Sequence, residues 1–332
     1  MAVLVTGGAG FVGLNLVEAL LERGEEVILF DSGALPPAAQ RALSHHGRQL
    51  NVARADVRDA AQVNQVFESH RIDYIAHCAA VTSGPARESR DPATIIEINV
   101  QGTLNILEAA RAHAVKRVVY SSSGAVYGES LYRLARLYEE DPVMPITLYG
   151  ITKFAAERLC ARMRALWEID VVCARLGTVI GPWERDTGVR DNYGTHTQLA
   201  ALALAGRTAV LTAREIRRDW IYARDVVAGL IALIEAARPR HPVYNLSSGV
   251  EWVEPIRNWC ETLKSAYPRF EYRVAEPGEA PNIWYTDQDR YPMDIGRIAQ
   301  DMRFTPRYTM QAAYAHYLDW LQRTPDTLWP TS

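Results

Sequence analysis

The chain has no stretch approaching eighteen consecutive apolar residues, so nothing in it reads as a membrane span. No Lys or Arg precedes its one short N-terminal apolar run, which therefore lacks the form of a signal peptide. Cysteine is scarce. Cys78, Cys160, Cys173 and Cys260 are scattered, three of them in apolar stretches and none in a Cys-x-x-Cys pair, the pattern of buried thiols in a reducing, cytoplasmic setting. Basic charge is not in excess either: the formal net charge is −3 and charged residues make up 23% of the 332, which leaves no field suited to a nucleic-acid backbone. His45-His46, His77, His113, His196, His241 and His316 are spread out with no carboxylate spacing that resembles a metal site, and no metal is expected. Internal repeats and low-complexity tracts are missing. What remains is a chain long enough for one large α/β unit, or for a nucleotide domain with a smaller lobe.

The most informative local pattern lies at the start. Ala2-Val3-Leu4-Val5 is a short strand-like run that enters the glycine-rich turn Thr6-Gly7-Gly8-Ala9-Gly10-Phe11-Val12-Gly13, and Leu16, Val17, Leu20 and Leu21 then recur with a helical period. Gly7 and Gly10 let the backbone approach a pyrophosphate, Gly13 lets the helix lie near the strand, and Phe11 and Val12 open the helix whose positive end faces the phosphates. Asp31 follows a second apolar run, Val27 to Phe30, eighteen residues after Gly13, where a carboxylate can accept from both hydroxyls of an adenosine ribose. No Arg or Lys occurs from Ser32 to Gln40 to neutralise a 2′-phosphate, so NAD is expected rather than NADP.

Strand-like runs at Leu50 to Ala55, Tyr74 to His77, Arg117 to Ser121 and Val171 to Arg175 alternate with helical stretches at about Ala60 to Ser69, Pro92 to Ala112 and Ile151 to Trp167. That alternation predicts an α/β fold with a doubly wound parallel sheet covered on both faces. From about Gly181 the rhythm breaks into shorter elements. Residues 1–180, with 219–247 returning through a helix at Asp225 to Ala237 and a strand at Val243 to Leu246, are expected to form the nucleotide domain; 181–218 and 248–332 are expected to form a smaller substrate lobe. Tyr314, Tyr317, Leu318, Trp320 and Trp329 read as the apolar stripe of a terminal helix.

Tyr149 and Lys153 stand four apart, on one face of a helix. An ammonium beside a phenol favours the phenolate, the form that serves as a general base toward a hydroxyl proton. Ser123, or its neighbour Ser122, follows a strand at the carboxyl edge of the sheet and can hydrogen-bond the same substrate oxygen. Alone, a Tyr and a Lys four apart are a common solvated pair; with a strand-end serine and a glycine turn upstream they point to nicotinamide redox chemistry.

Together these motifs resemble the extended short-chain dehydrogenase/reductases, also called the NAD-dependent epimerase/dehydratase family. The likeness runs through Thr6 to Gly13, Asp31, Asp56-Val57, His77 to Ala80, Asn99, Ser121 to Gly128, Tyr149 to Lys153, Arg175, Gly181-Pro182 and Arg218 to Ile221. It implies a Rossmann-type fold, a tyrosine base, a lysine that also holds the nicotinamide ribose, and a serine near the carbonyl. It further implies Asp56 and Val57 around the adenine, Ala79 lining the cofactor, Asn99 supporting the site, and a homodimer paired through the two long helices.

The substrate is less constrained. Members of the family that use nucleotide-linked sugars often carry Asn where this chain has Thr178, and Ala275 to Ala280 places acids where a diphosphate-binding Arg is expected, although Arg290 stands ready from a shifted position. Arg175 and the run Arg214, Arg217, Arg218 can receive an anion, a carboxylate included, and Thr82 with Ser83 adds hydroxyls suited to a polyol. The leading expectation is an NAD-dependent dehydrogenase of a sugar or sugar acid, with substrate contacts at Thr82, Ser122, Arg175, Thr178 and Arg218. The alternative is an epimerase of a UDP- or other nucleotide-sugar that retains its NAD. A non-catalytic NAD sensor ranks last, since it needs neither Tyr149 nor Lys153.

Overall fold

The computed structural model describes residues 1–284 and 288–325; Trp329, expected in the terminal stripe, lies outside them. Six strands, β1 (Ala2–Thr6), β2 (Glu26–Asp31), β3 (Leu50–Arg54), β4 (Tyr74–His77), β5 (Arg117–Ser123) and β6 (Val171–Leu176), join Val243–Leu246 in one seven-stranded sheet. All the pairings within it are parallel. β1 and β6 are buried along their whole length, which is why they read as unbroken apolar runs rather than as alternating ones. The order is Val243–Leu246, β6, β5, β4, β1, β2, β3. The chain therefore runs outward from β1 to β3 and crosses back to lay β4 on the other side of β1. That reversal opens a crevice at the carboxyl ends of β1 and β4, the place where open parallel sheets take their ligands.

Two apolar layers cover the sheet. One packs helix Phe11–Glu22 and helix Ala223–Glu235 against it and continues into the smaller elements; the other packs helices Ala60–Ser69, Gly102–Ala112 and Leu148–Trp167. Beyond the sheet, Thr178–Ile180 pairs with Trp220–Tyr222, and Ala209–Leu211 pairs with Tyr272–Val274. Helices Thr195–Leu204, Pro255–Ala266 and Met310–Arg323 close around an aromatic nest in which Trp259 stacks on Tyr317 at 5.1 Å. Among the described residues no helix is long and apolar enough to cross a membrane.

Two helices differ from their expected form. The stretch from Pro92 to Ala112 is helical throughout, as expected, but it carries a wide π-type turn at Glu97–Gln101 between Pro92–Ile96 and Gly102–Ala112. The long helix begins at Leu148 rather than Ile151, since Thr147 accepts from the Gly150 N–H and caps it. That cap brings Tyr149 into the first turn.

Two buried histidines set an acid limit on stability. Thr103 gives its hydroxyl proton to the Asn99 carbonyl, so it accepts from His77 Nε2, and His77 Nδ1 accepts from Thr6 at 2.6 Å. His196 likewise faces a Tyr314 hydroxyl that is already donated to the Pro255 carbonyl. Burial lowers His77 and His196 to about 3, and Lys153 adds to the effect at His77. Both stay neutral when folded and protonate near pH ~6.5 when unfolded, so their contribution is complete above that pH and is lost as pH falls below it. Asp219, pushed up to about 7 by burial, acts in the opposite sense and offsets one of these protons. In urea unfolding between pH ~6 and ~5, a His196→Phe variant should lose stability less steeply than wild type, by about one proton or ~1.4 kcal/mol per pH unit.

Candidate active site

The crevice holds one continuous cavity of about 610 Å³ that extends from the glycine turn, past Ser123, Tyr149 and Lys153, to Arg218, Trp284 and Arg290. At its first end the chain turns sharply. Gly7 sits at φ +65°, where a side chain is strained, and a Cβ there would lie 2.7 Å from the Ala79 nitrogen. A Cβ on Gly13 would come within 2.0 Å of the Gly7 carbonyl oxygen, so the helix can start this close to β1 only without one. No side chain caps that helix, and its first N–H groups face the cavity wall formed by Gly10, Phe11, Val12 and Gly13. This is an uncapped positive helix end presented to a polyanion.

Asp31 accepts from the N–H of Ala9 at 2.9 Å and of Gly33 at 2.8 Å, which fixes its carboxylate at the rim. Burial raises its pKa, while those N–H groups and the charge of Arg185 counter the rise. Asp56 is tied to Arg58 at 2.6 Å and lies beside Val57 on the same wall; the Arg58 hydrogen bonds hold its carboxyl below the usual range. Ala79 lines the cavity after β4. Asn99 does not reach it: its amide accepts from Val81 N at 2.8 Å and donates to the Val81 carbonyl and to Thr152. Its role is to tie the loop after β4 to the long helix, which the π-type turn lets it face.

At the centre, Lys153 is buried and donates to the Ser121 carbonyl at 2.7 Å, with its Nζ 5.9 Å from the centroid of the Tyr149 ring. The three serines at the end of β5 diverge. Ser121 shares a hydrogen with Cys78, Ser122 gives its proton to Glu157 at 2.6 Å, and Ser123 accepts from Ala125 N, leaving its own hydroxyl proton for a ligand in the cavity. Ser123, not Ser122, is thus available to a substrate oxygen. Glu88 accepts from Ser83 at 3.1 Å and from the Tyr149 N–H, and sequence spacing gave no hint that it would stand here.

Of the expected substrate contacts, Thr82, Ser122, Thr178 and Arg218 line the cavity, Ser122 with its proton committed to Glu157, and Arg175 does not. Arg175 forms a two-pronged pair with Glu157 at 3.0 and 2.8 Å, donates to the Glu139 carbonyl, and lies 4.7 Å from the centroid of the Tyr127 ring. It is a structural cation whose strand-end position resembles a binding site only in sequence. The basic run also divides: Arg214 pairs with Asp289 and Arg217 with Glu251 at the surface, while Arg218 turns inward. The loop Ala275 to Ala280 is absent from the cavity wall, and its Glu279 pairs with Arg273 at 2.5 Å. Arg290 takes the place expected of a cation there. Its Nε is buried with no partner among the described residues, and burial together with the charge of Arg290 brings the neighbouring Arg218 down to about 9. Two guanidiniums held side by side in a cavity invite an anion.

Removing one partner of a buried pair strands the other, at a cost of about 3–5 kcal/mol. An Arg175→Met variant should therefore lose stability by that order in denaturant unfolding, while its folded fraction keeps the KM of wild type.

The profile of the NAD dependent epimerase/dehydratase family matches residues 3–247. A UDP-glucose 4-epimerase from Halalkalibacterium halodurans is 36% identical over 181 residues, 54% of this chain and 52% of that protein. The chain spans 65% and 63% of the length of two further UDP-glucose 4-epimerases, from Oryza sativa subsp. japonica and Lacticaseibacillus casei. UDP-glucose 4-epimerase 4 of Oryza sativa is 30% identical over 348 residues, covering 97% of this chain and 90% of its own. Among solved structures, the Thermus thermophilus UDP-glucose 4-epimerase in complex with NAD superposes with a TM-score of 0.76 at 26% identity, over 96% of this chain and 99% of that one. With its seven-stranded parallel sheet, its glycine turn and this breadth of similarity, the chain belongs to the NAD dependent epimerase/dehydratase family, and its cofactor is NAD.

Proposed function

We propose that this protein is an epimerase of a nucleoside-diphosphate sugar, UDP-hexose in the first instance, rather than a dehydrogenase that releases NADH. The observation that carries this reading is the neighbouring pair Arg218 and Arg290, which shares one cavity with the glycine turn and with Ser123, Tyr149 and Lys153. A substrate diphosphate held by those two guanidiniums leaves its sugar beside Tyr149. The similarity to UDP-glucose 4-epimerases supports the same substrate class.

NAD, when bound, accepts a hydride from the sugar carbon and returns it to the ketone. The protein's own groups manage the proton. Tyr149 takes it from the sugar hydroxyl and gives it back; Lys153 contributes positive charge beside the phenol; Ser123 donates to the sugar oxygen and holds it through both steps. Gly7, Gly10, Phe11, Val12 and Gly13 would hold the pyrophosphate, Asp31 the adenosine ribose, and Asp56 and Val57 the adenine, with Ala79 lining the cofactor. In this reading residues 1–180 with 219–247 carry most of the cofactor site, and 181–218 with the stretch from 248 onward carry most of the sugar-nucleotide site. The exposed Ile96 and Ile151, 47% and 48% accessible, support a homodimer through the helices that bear them. All four cysteines are free, in keeping with a cytoplasmic setting.

Incubated with UDP-glucose or UDP-galactose, the protein should interconvert the two, read by NMR, with no net absorbance at 340 nm. NADH growing in step with an oxidised product would overturn the proposal in favour of a dehydrogenase. Tyr149→Phe should lower kcat by about 10²–10⁴-fold while leaving NAD bound. Arg290→Ala, which removes charge-assisted bonds worth about 1.5–3 kcal/mol, should raise KM for the UDP-sugar roughly ten- to hundredfold with a smaller change in kcat.

A further inference from the structure

The glycine turn offers a dinucleotide backbone N–H groups and a helix end but no cation of its own. Among the described residues, five cationic side chains line the cavity: Lys153, Arg185, Arg190, Arg218 and Arg290. Lys153 donates to the Ser121 carbonyl beside Tyr149, and Arg218 and Arg290 neighbour each other. Arg185 and Arg190 stand at the turn. Arg185 donates to the Ala9 carbonyl at 2.7 Å and lowers the pKa of Asp31 through its charge; Arg190 lies 5.7 Å from the centroid of the Phe11 ring. Each keeps one buried nitrogen with no protein partner, Nη1 of Arg185 and Nε of Arg190. Such donors cost free energy unless a ligand accepts from them. Desolvation disfavours the Arg185 cation, a second sign that the pair is incomplete without an anion.

Both arginines lie on the segment from Trp183 to Gly194, which crosses the cavity and is fastened on either side. On the side of the glycine-turn helix, Asn15 donates to the Pro182 carbonyl at 2.7 Å and Trp183 to Glu18 at 3.3 Å. On the side of β4, Thr82 N donates to the Val189 carbonyl, and Asp191 pairs with Arg87 at 2.6 Å while accepting from Gly84 N. Glu184, fully buried, fixes the crossing from within: it pairs with Arg190 at 2.6 Å and accepts from Gly194 N and the Thr197 hydroxyl. The segment is a strap, and its two arginines reach the cavity from outside the glycine motif.

Building on NAD as cofactor and on the epimerase reading, we infer that Arg185 and Arg190 donate their unpartnered N–H groups to the cofactor's pyrophosphate, and that the strap bearing them keeps the dinucleotide in place through turnover. Arg185 brings the cation, and Arg190, whose charge is met by Glu184, brings an unpartnered Nε–H donor. The fastenings through Arg87–Asp191 and Glu184 must open before the dinucleotide leaves. Retention matters for an epimerase in particular, because a ketone whose reduced cofactor departs is not converted to product.

The test measures binding, not turnover. Arg185→Gln, Arg190→Gln and the double variant are purified, checked for apo melting temperature, and titrated calorimetrically with NAD, ADP-ribose and adenosine. Each single change should weaken NAD and ADP-ribose at least tenfold and the double change about a hundredfold, while adenosine, which lacks the diphosphate, binds all four proteins alike. Asp191→Asn, which loosens the strap without removing a guanidinium, should speed release of bound NAD in a displacement assay by at least fivefold. Double-variant NAD affinity within twofold of wild type would overturn the assignment, as would equal weakening of adenosine. Should any variant fail to fold, the Asp191→Asn release rate decides, and a rate equal to wild type would refute retention by the strap. If UDP-sugars are not epimerised but NAD affinity falls as stated, the substrate reading fails and the arginine assignment stands.

Discussion

Glu157 and Arg175 meet where neither side chain sees water, and their two hydrogen bonds join the long helix to β6. Ser122 adds β5 to the same carboxylate, so one acid fastens a helix to two neighbouring strands. The rest of the site follows from that junction. With the helix pinned at Glu157, Lys153 one turn earlier falls opposite the Ser121 carbonyl and Tyr149 a turn before that reaches the cavity. Buried ion pairs add little net stability against apolar replacements, but they are sharply directional. Here direction is what the chemistry requires, because a phenol displaced by an ångström would no longer reach a substrate oxygen.

A second consequence is a division between the groups that work and the groups that hold. Along the end of β5 successive serines at one cavity wall take different partners: Ser121 a thiol, Ser122 a carboxylate, while Ser123 keeps its hydroxyl proton. Asn99 repeats the theme, spending its whole amide on Val81 and Thr152. The wide turn in its helix is what permits this, since a continuous helix would aim that side chain elsewhere.

Much of this was legible in the chain. The glycine turn, Asp31 and the Tyr149 to Lys153 spacing are local patterns, set by strand, turn and helix geometry within a few residues, and the structure gathers all of them along one cavity. The parallel sheet was legible for the same reason, since doubly buried strands are apolar throughout. Arg175 was misread because a strand-end cation looks the same in sequence whether its partner is a ligand or a glutamate eighteen residues away. Arg290 and Arg218 meet across a long separation, through loops whose course no periodicity records. The acids near Glu276 lie off the cavity wall, and Arg290, fourteen residues further on, lines it instead. The substrate expectation moved with them, from a sugar-acid dehydrogenase toward an epimerase.

The strand Val243–Leu246 closes the sheet beside β6, and through Asn245 it also braces Tyr127 and the Leu137 carbonyl beside the site. Until it arrives, β6 is an open edge of apolar residues. During synthesis the ribosome must add the stretch from Gly177 to Pro242 before that edge is covered, roughly 3–13 s at typical elongation rates. For that interval the nascent chain displays a bare strand able to pair with any other extended segment, its own or a neighbour's. The late strand thus makes the exposure of this edge a matter of translation speed rather than of finished stability.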